Sequence, residues 1–278
     1  MVITQVEVIA SLDRLPAYPA IVNQVLEVLS DDTAGMTLLA KHLQTDPVIS
    51  ARVLSAANRL IRHSNREPVG DIYTAVSYLG LTQVYQVVVS TSLLDFASQA
   101  HCSSQFWEHS LAVGIACQEL ATAFGADPDH ALVAGLLHAV GVLWMNYFHP
   151  LEFQQVLIEH QVQAQDIFLA ERAILGNDHG EVGQVLAEHW GLPEGIRNAI
   201  AHHHAPDLAP ISRLVAITHL AELICIGLDL PYQASHQIAG LSPAAARVLG
   251  EGWADQLPEL FGRIESRFRV ARVALQTV

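Results

Sequence analysis

Ala134-Gly135-Leu136-Leu137-His138-Ala139-Val140-Gly141 is an apolar run with a single imidazole at its centre and small residues on either side. It falls inside a helix expected over 128–147, which Asp127 caps and Pro128 opens. The residue after His138 decides much of the chemistry. Alanine has no lone pair to offer a cation, so any metal bound at His138 must find its remaining ligands elsewhere in the chain.

Working outward from this run, the punctuation argues for helices nearly throughout. Asp46-Pro47 and Asp127-Pro128 each pair a good N-cap with a residue favoured at the first helical position, and Pro150, Pro193, Pro210, Pro231 and Pro243 open further apolar-periodic segments. Helices are expected near 3–12, 19–30, 36–44, 47–62, 71–79, 82–98, 104–124, 128–147, 150–160, 164–175, 179–190, 193–204, 210–228, 231–239, 243–249 and 253–274. Val84-Tyr85-Gln86-Val87-Val88-Val89 is rich in β-branched residues and argues for a strand. Thr82 can cap it, however, and Leu81, Val84, Val88 and Leu93 fall close to a helical stripe, so it is read as helix. The fold class is all-α. Polar and small residues at Ser98 to Ser104 interrupt two long apolar helices and place a boundary there, dividing residues 1–100 from 101–278.

Composition bounds the function. The 278 residues can bury a sizeable core, and 51% of them are hydrophobic, yet no eighteen apolar residues run together. A soluble protein without a membrane partner is expected. The opening residues carry no signal-peptide pattern, and Cys102, Cys117 and Cys225 lack metal-ligand or disulfide-framework spacing, which points to the cytoplasm and to cysteines as small core residues. With 14 basic against 28 acidic residues the net charge is -14, which opposes direct nucleic-acid binding. Between Arg66 and Arg172 there is no Lys or Arg at all. A site around His138 therefore works without local basic side chains.

Leu15-Pro16, Tyr18-Pro19, Asp46-Pro47, Ala57-Asn58 and Ala75-Val76-Ser77-Tyr78-Leu79-Gly80 occur in that order in the first half. In the second half come Phe106-Trp107-Glu108-His109-Ser110, the run around His138, Ile174-Leu175-Gly176-Asn177-Asp178-His179, Trp190-Gly191-Leu192-Pro193 and His202-His203-His204. Each motif is short, but the ordered series resembles the HDOD family over roughly residues 10 to 225. That family is related to the HD phosphohydrolases and usually lacks their His-Asp dyad. The resemblance implies an N-terminal helical subdomain packed on an HD-like helical bundle, and a role in bacterial signal transduction through association with a signalling protein. Matching residue by residue, it implies His109, His138, His179, His203 and Glu222 as vestigial metal ligands, with Ala139 where the dyad's Asp would stand and Glu222 where a second Asp would be.

Four imidazoles with one carboxylate suit Zn, Fe or Ni. The alternative is that these histidines are hydrogen-bonded residues of an abandoned pocket, and His202 and His204, flanking His203, are expected outside the ligand set. Hydrolysis of a phosphodiester needs a metal-bound hydroxide and a charge to meet the developing phosphate anion, and neither a second dyad ligand nor a cation is at hand. No phosphate-binding Gly-rich loop, Gly-x-Ser-x-Gly elbow or His-Glu-x-x-His helix is present. A non-catalytic regulatory protein that binds a partner or small ligand is therefore expected; the alternative is a metal-dependent phosphohydrolase acting on a nucleotide or cyclic dinucleotide. Arg59, Arg62 and Arg66 follow i, i+3, i+7 spacing and would share one helix face. That face is either simply solvated or a docking patch for an acidic partner or phosphate-bearing ligand.

Overall fold

The computed structural model describes residues 2–12, 36–44, 47–61, 68–99, 104–208, 211–231 and 240–276. Among these residues there are helices, turns and short connections but no strand, so the fold is all-α. The β-branched segment at Val84–Val89 lies within a helix from Leu81 to Gln99. Val84, Val88 and Val89 are wholly buried there, and packing overrides the local strand preference.

The chain divides into two compact units, residues 17–95 with 269–278, and residues 1–16 with 96–268. The first unit contains α2 (Met36–Leu43), α3 (Pro47–Ile61), α4 (Ile72–Leu79) and most of α5 (Leu81–Gln99). Leu39, Leu43, Val53, Ala57, Ala75 and Val76 form its core. Asn58 grips the backbone of Val69 from both sides, its Nδ2 donating to the carbonyl at 2.9 Å and its Oδ1 accepting from the amide at 2.7 Å. Asp71 then caps α4 by accepting from the Thr74 amide at 2.8 Å. Arg59 lies in the last turn of α3, half-buried, and its guanidinium donates to Ser55 Oγ at 3.4 Å. Arg62, Arg66 and the helix expected at 19–30 lie outside the described residues, so the shared arginine face is not among the observed features.

The second unit holds α1 (Gln5–Ser11), α6 (Ser104–Phe124), α7 (Pro128–Leu137), α8 (Val140–Phe148), α9 (Pro150–Gln163), α10 (Ile167–Leu175), α11 (His179–His189), α12 (Glu194–His202), α13 (Arg213–Gly227), α14 (Pro243–Leu249) and the part of α15 (Leu257–Gln276) up to Phe268. Membership of α1 corrects the expectation that residues 1–100 form one subdomain. Ile3 and Val8 are buried, the Ile3 amide donates to Leu175 O at 2.7 Å, and Trp144 Nε1 donates to Ser11 Oγ at 2.8 Å, so apolar burial and hydrogen bonds tie the first residues to α8 and α10.

Glycines set the closest approaches. A Cβ on Gly135 would lie 2.7 Å from Gly114 Cα and 2.8 Å from Cys117 Sγ, so α6 and α7 touch backbone to backbone. The expected 128–147 helix is in fact two. The chain bends at Ala139, with φ -103 and ψ 18, and α8 turns onto α11, where a Cβ on Gly141 would lie only 2.0 Å from His179 O. No proline marks the bend, and the composition is equally apolar on both sides, which is why the periodicity ran through it. An 18-residue window within Pro128–Phe148 is apolar enough to cross a membrane, at mean hydropathy 1.6, but 78% of that window is buried inside the protein.

Smaller differences follow from caps. Ser212, accepting from the Val215 amide at 3.2 Å, starts α13 at Arg213 instead of near Pro210. Ala164 takes a left-handed conformation, φ 49, and delays α10 to Ile167. Residues Trp253–Gln256 form a 3-10 turn ahead of α15, and all but Pro231 of the helix expected at 231–239 lies outside the described residues. Cys117 and Cys225 are buried free thiols; Cys102 is outside the described residues.

Candidate metal centre

The second unit gathers the five expected ligands in its interior. His109 comes from α6, His138 from the residue ending α7, His179 from the first turn of α11, His203 from the end of α12 and Glu222 from α13, and none is more than 4% exposed. They form two groups. In one, Glu222 Oε2 lies 3.1 Å from His109 Nε2 and 3.2 Å from His138 Nε2. In the other, His179 Nε2 lies 3.3 Å from His203 Nε2 and 3.1 Å from His204 Nε2. His138 and His203 link them, their ring centroids 5.1 Å apart.

His204, expected to stand outside the ligand set, lies with its ring beside His179 and His203. Helix α12 was expected to run to residue 204 but stops at His202, and the chain bends at His203 and His204. Both rings thereby turn inward, where an unbroken helix would have spread them around its axis.

The ring orientations are fixed from behind. His138 Nδ1 donates to Gly135 O at 2.7 Å, His203 Nδ1 to Ile200 O at 2.8 Å, and His179 Nδ1 to Glu171 Oε2 at 2.7 Å. Each therefore presents Nε2 to the centre, the orientation that protein metal sites impose on imidazole ligands. Glu171 was not foreseen. It is wholly buried on α10 and also accepts the backbone N–H of His179 at 2.9 Å. A signal for it did exist, because position 171 falls with Ile167, Ala170 and Leu175 on the buried stripe of its helix. Asp178, beside His179, points away and caps α11 in a reciprocal arrangement with Glu181, and its other oxygen takes Arg172.

Charge sharpens the picture. Burial pushes the Glu222 carboxyl up, but His109 and His138 outweigh it and hold the group well below the usual carboxylate range. Burial works against charge on His179, yet Glu171 raises it above the ordinary imidazole value. His203 is driven well down by burial and by the rings of His204, His138 and His179. Two buried carboxylates thus face a set of imidazoles, and Glu171 Oε1 is buried with no hydrogen-bond partner among the described residues. Buried charge demands a counter-charge. His179 and His203 each commit Nδ1 to a fixed acceptor and turn Nε2 toward one another at 3.3 Å, so both Nε2 atoms stand where a cation could take them as ligands. The donor set fits a divalent ion of the Zn, Fe or Ni type.

A cavity of about 60 Å³ opens on both groups, lined by His109, His138, Ala139, Glu222, His179, His204 and apolar side chains such as Phe106 and Phe153, and among the described residues by no Lys or Arg. On the other side of His203 and His204 lies a larger cavity of about 330 Å³, bordered by Asn177, Gln184 and Arg172. The Arg172 guanidinium there is already engaged, at 2.8 Å from Asp178 and 3.2 Å from Glu181.

Comparison with known proteins agrees with this architecture. An HDOD domain protein of unknown function from Geobacter sulfurreducens has 26% identity and a TM-score of 0.74, with 94% of this chain and 96% of that one aligned. A candidate phosphohydrolase from Shewanella amazonensis SB2B has 25% identity and a TM-score of 0.66, over 94% and 93% of the two chains. Ribonuclease Y of Oleidesulfovibrio alaskensis is 26% identical over 160 residues, which make up 58% of this chain and 23% of that protein. The chain spans less than half the length of the curated relatives it matches. The family model for the HDOD domain matches residues 15–206, and the chain belongs to that family.

Proposed function

We propose that this chain is a regulatory HDOD module in which the HD-derived pocket persists as an ion-binding core without hydrolytic turnover, and whose output is the binding of a partner protein or small ligand. The observation that carries this reading is the cavity at Ala139. Its 60 Å³ is small beside the roughly 300–1,000 Å³ of ordinary ligand pockets, which supports an ion over a nucleotide where His109, His138 and Glu222 converge. Among the described residues no cationic side chain lines it to meet a transition-state phosphate, and Ala139 offers a methyl group in place of the dyad carboxylate. An ion held by the imidazoles would supply positive charge to the two buried carboxylates. His138, His179 and His203 are oriented for it by Gly135 O, Glu171 and Ile200 O. A small ligand, if one is the signal, finds room in the 330 Å³ cavity beside His203 and His204.

The phosphohydrolase reading is favoured by one feature, the second imidazole group at His179, His203 and His204, which adds nitrogen ligands that Ala139 does not supply. Hydrolysis of bis(p-nitrophenyl) phosphate and of cyclic dinucleotides by the Mn- or Zn-loaded protein separates the two. The regulatory reading expects no turnover above the metal-free background in wild type, and tighter metal binding in Ala139→Asp, whose carboxylate sits beside His138. Wild-type turnover that depends on metal and vanishes in His138→Ala would establish the hydrolase instead.

A further inference from the structure

His219 lies on α13, one turn before Glu222, and is 7% exposed. Its tautomer can be read directly. The Ser242 backbone N–H can only donate, and it reaches His219 Nε2 at 3.2 Å, so the ring proton is on Nδ1 and is given to His203 O at 2.6 Å. Burial favours this neutral form. His203 ends α12, and its carbonyl is among those a helix leaves without an intrahelical partner. His219 therefore satisfies an orphan acceptor and fixes the main chain at the residue whose Nε2 faces His179.

The other side of the ring leads to α14. Ser242 caps that helix, its Oγ accepting from the amides of Ala244 and Ala245 at 3.1 and 3.2 Å, and the same hydroxyl donates to Asp207 Oδ1 at 2.8 Å. Asp207 belongs to the 3-10 turn Pro206–Leu208, just after His204. The short segment carrying both inward rings is thus held at each end, by His219 at residue 203 and by Ser242 at residue 207. Helix α13 also carries Glu222, so one rigid element bears the carboxylate of the first group and the hold on the second.

We propose that His219 is the positioning residue of the imidazole cluster, and that through Ser242 it couples ion occupancy at His179, His203 and His204 to the seating of α14. The inference rests on the ion-binding reading above. It gives the C-terminal helix α14 a dependence on the state of the buried core, which is what a regulatory module needs in order to report that state at its surface.

The test uses the full chain, with Co(II) as the probe. Wild type is expected to develop a visible d–d band on titration. His219→Ala should bind cobalt about 10- to 100-fold more weakly and shift the band, as expected when a group that orients a ligand is removed. His219→Gln should recover most of both, because its amide offers one donor and one acceptor as the neutral imidazole does. Hydrogen exchange at the α14 amides should slow on cobalt addition in wild type and in His219→Gln, but not in His219→Ala. Should the Ala variant not fold, Ser242→Ala, which removes the hydroxyl's cap on α14 and its bond to Asp207 but keeps the backbone N–H on His219, should still lose cobalt affinity several-fold. Unchanged affinity and spectrum in folded His219→Ala or Ser242→Ala, or a native-like His219→Gln that behaves as the Ala variant does, would overturn the proposal. No cobalt band in wild type would instead remove the ion-binding reading beneath it.

Discussion

Glu171 Oε2 accepts two hydrogen bonds from His179, from the ring at 2.7 Å and from the backbone amide at 2.9 Å. The pairing locks the ring's direction and places a buried carboxyl group in the core behind the second imidazole group. Removing it has two consequences that can be measured apart. Glu171→Ala should destabilise the metal-free protein by about 3–5 kcal/mol, the usual cost of breaking a buried ionic pair, read from urea unfolding in the presence of a chelator. Glu171→Gln, which keeps an acceptor but loses the charge, should unfold closer to wild type and bind metal about 10-fold more weakly. Equal metal affinity in Glu171→Gln and wild type would dissociate Glu171 from the centre.

Gly141 is where the bend at Ala139 and the imidazole cluster meet. A methyl group there would lie 2.0 Å from His179 O and 2.9 Å from Gly183 N, and both neighbours are backbone, which cannot move aside as a flexible side chain would. Gly141→Ala should cost about 3 kcal/mol or more, at or above the upper end of ordinary overpacking, despite the better helix propensity of alanine. Gly227→Ala, where a Cβ meets nothing within 4 Å, is the matched control and should be close to neutral. A similar unfolding midpoint for the two variants would contradict the close approach of α8 and α11.

These two sites show what the sequence carries and what it does not. Asp127 with Pro128 marked the start of α7, because the cap solves a problem of unpaired amides within its own turn, whereas Ser212 starts α13 at Arg213, three residues beyond the proline from which that helix was expected to start. Resemblance to a known site singled out His109, His138, His179, His203 and Glu222, and the structure brings these five together in the interior of the second unit. The bend at Ala139 was not legible, since it is imposed by the packing of α8 on α11 and leaves the apolar composition unchanged. Nor was His204, whose inward turn depends on where α12 stops. Glu171 and His219 hydrogen-bond to His179 and His203, which lie eight and sixteen residues away along the chain, distances at which helical periodicity conveys nothing about contact.

Stability of the metal-free protein should depend on pH with opposite signs on two sides. Glu222 ionises well below its ordinary value of 4.5 in the folded state. Its contribution is complete above about 4.5 and is lost as pH falls toward the folded value, since the unfolded chain takes up the proton first. His179 is raised above 6.5, so its contribution is complete below 6.5 and is lost as pH rises through the folded value. Urea midpoints measured with a chelator over about pH 3 to 8 should therefore flatten on the acid side in Glu222→Gln and on the neutral side in Glu171→Gln. An acid limb identical in Glu222→Gln and wild type would refute the assignment of Glu222 as a buried anion.

The arginines of the first unit yield a separate expectation about partners. If recognition resides on α3 and the residues after it, replacing Arg59 and Arg62 together by Ala should weaken capture of an acidic partner, at about 1–3 kcal/mol for each Arg that is buried on binding, and added salt should weaken it further. Pull-downs comparing this double variant with His138→Ala should show loss only in the arginine variant. Loss only with His138→Ala would move recognition to the pocket.

The central claim is that the imidazole cluster still binds a divalent ion although Ala139 has replaced the dyad carboxylate. Its most direct test is metal analysis by inductively coupled plasma mass spectrometry of untagged protein, equilibrated with Zn(II) and dialysed, alongside a His179→Ala/His203→Ala variant. The account predicts about one or more equivalents of metal per chain in wild type and a loss of most of it in the double variant. A folded wild-type protein that retains no metal, or a double variant that retains as much as wild type, would contradict it.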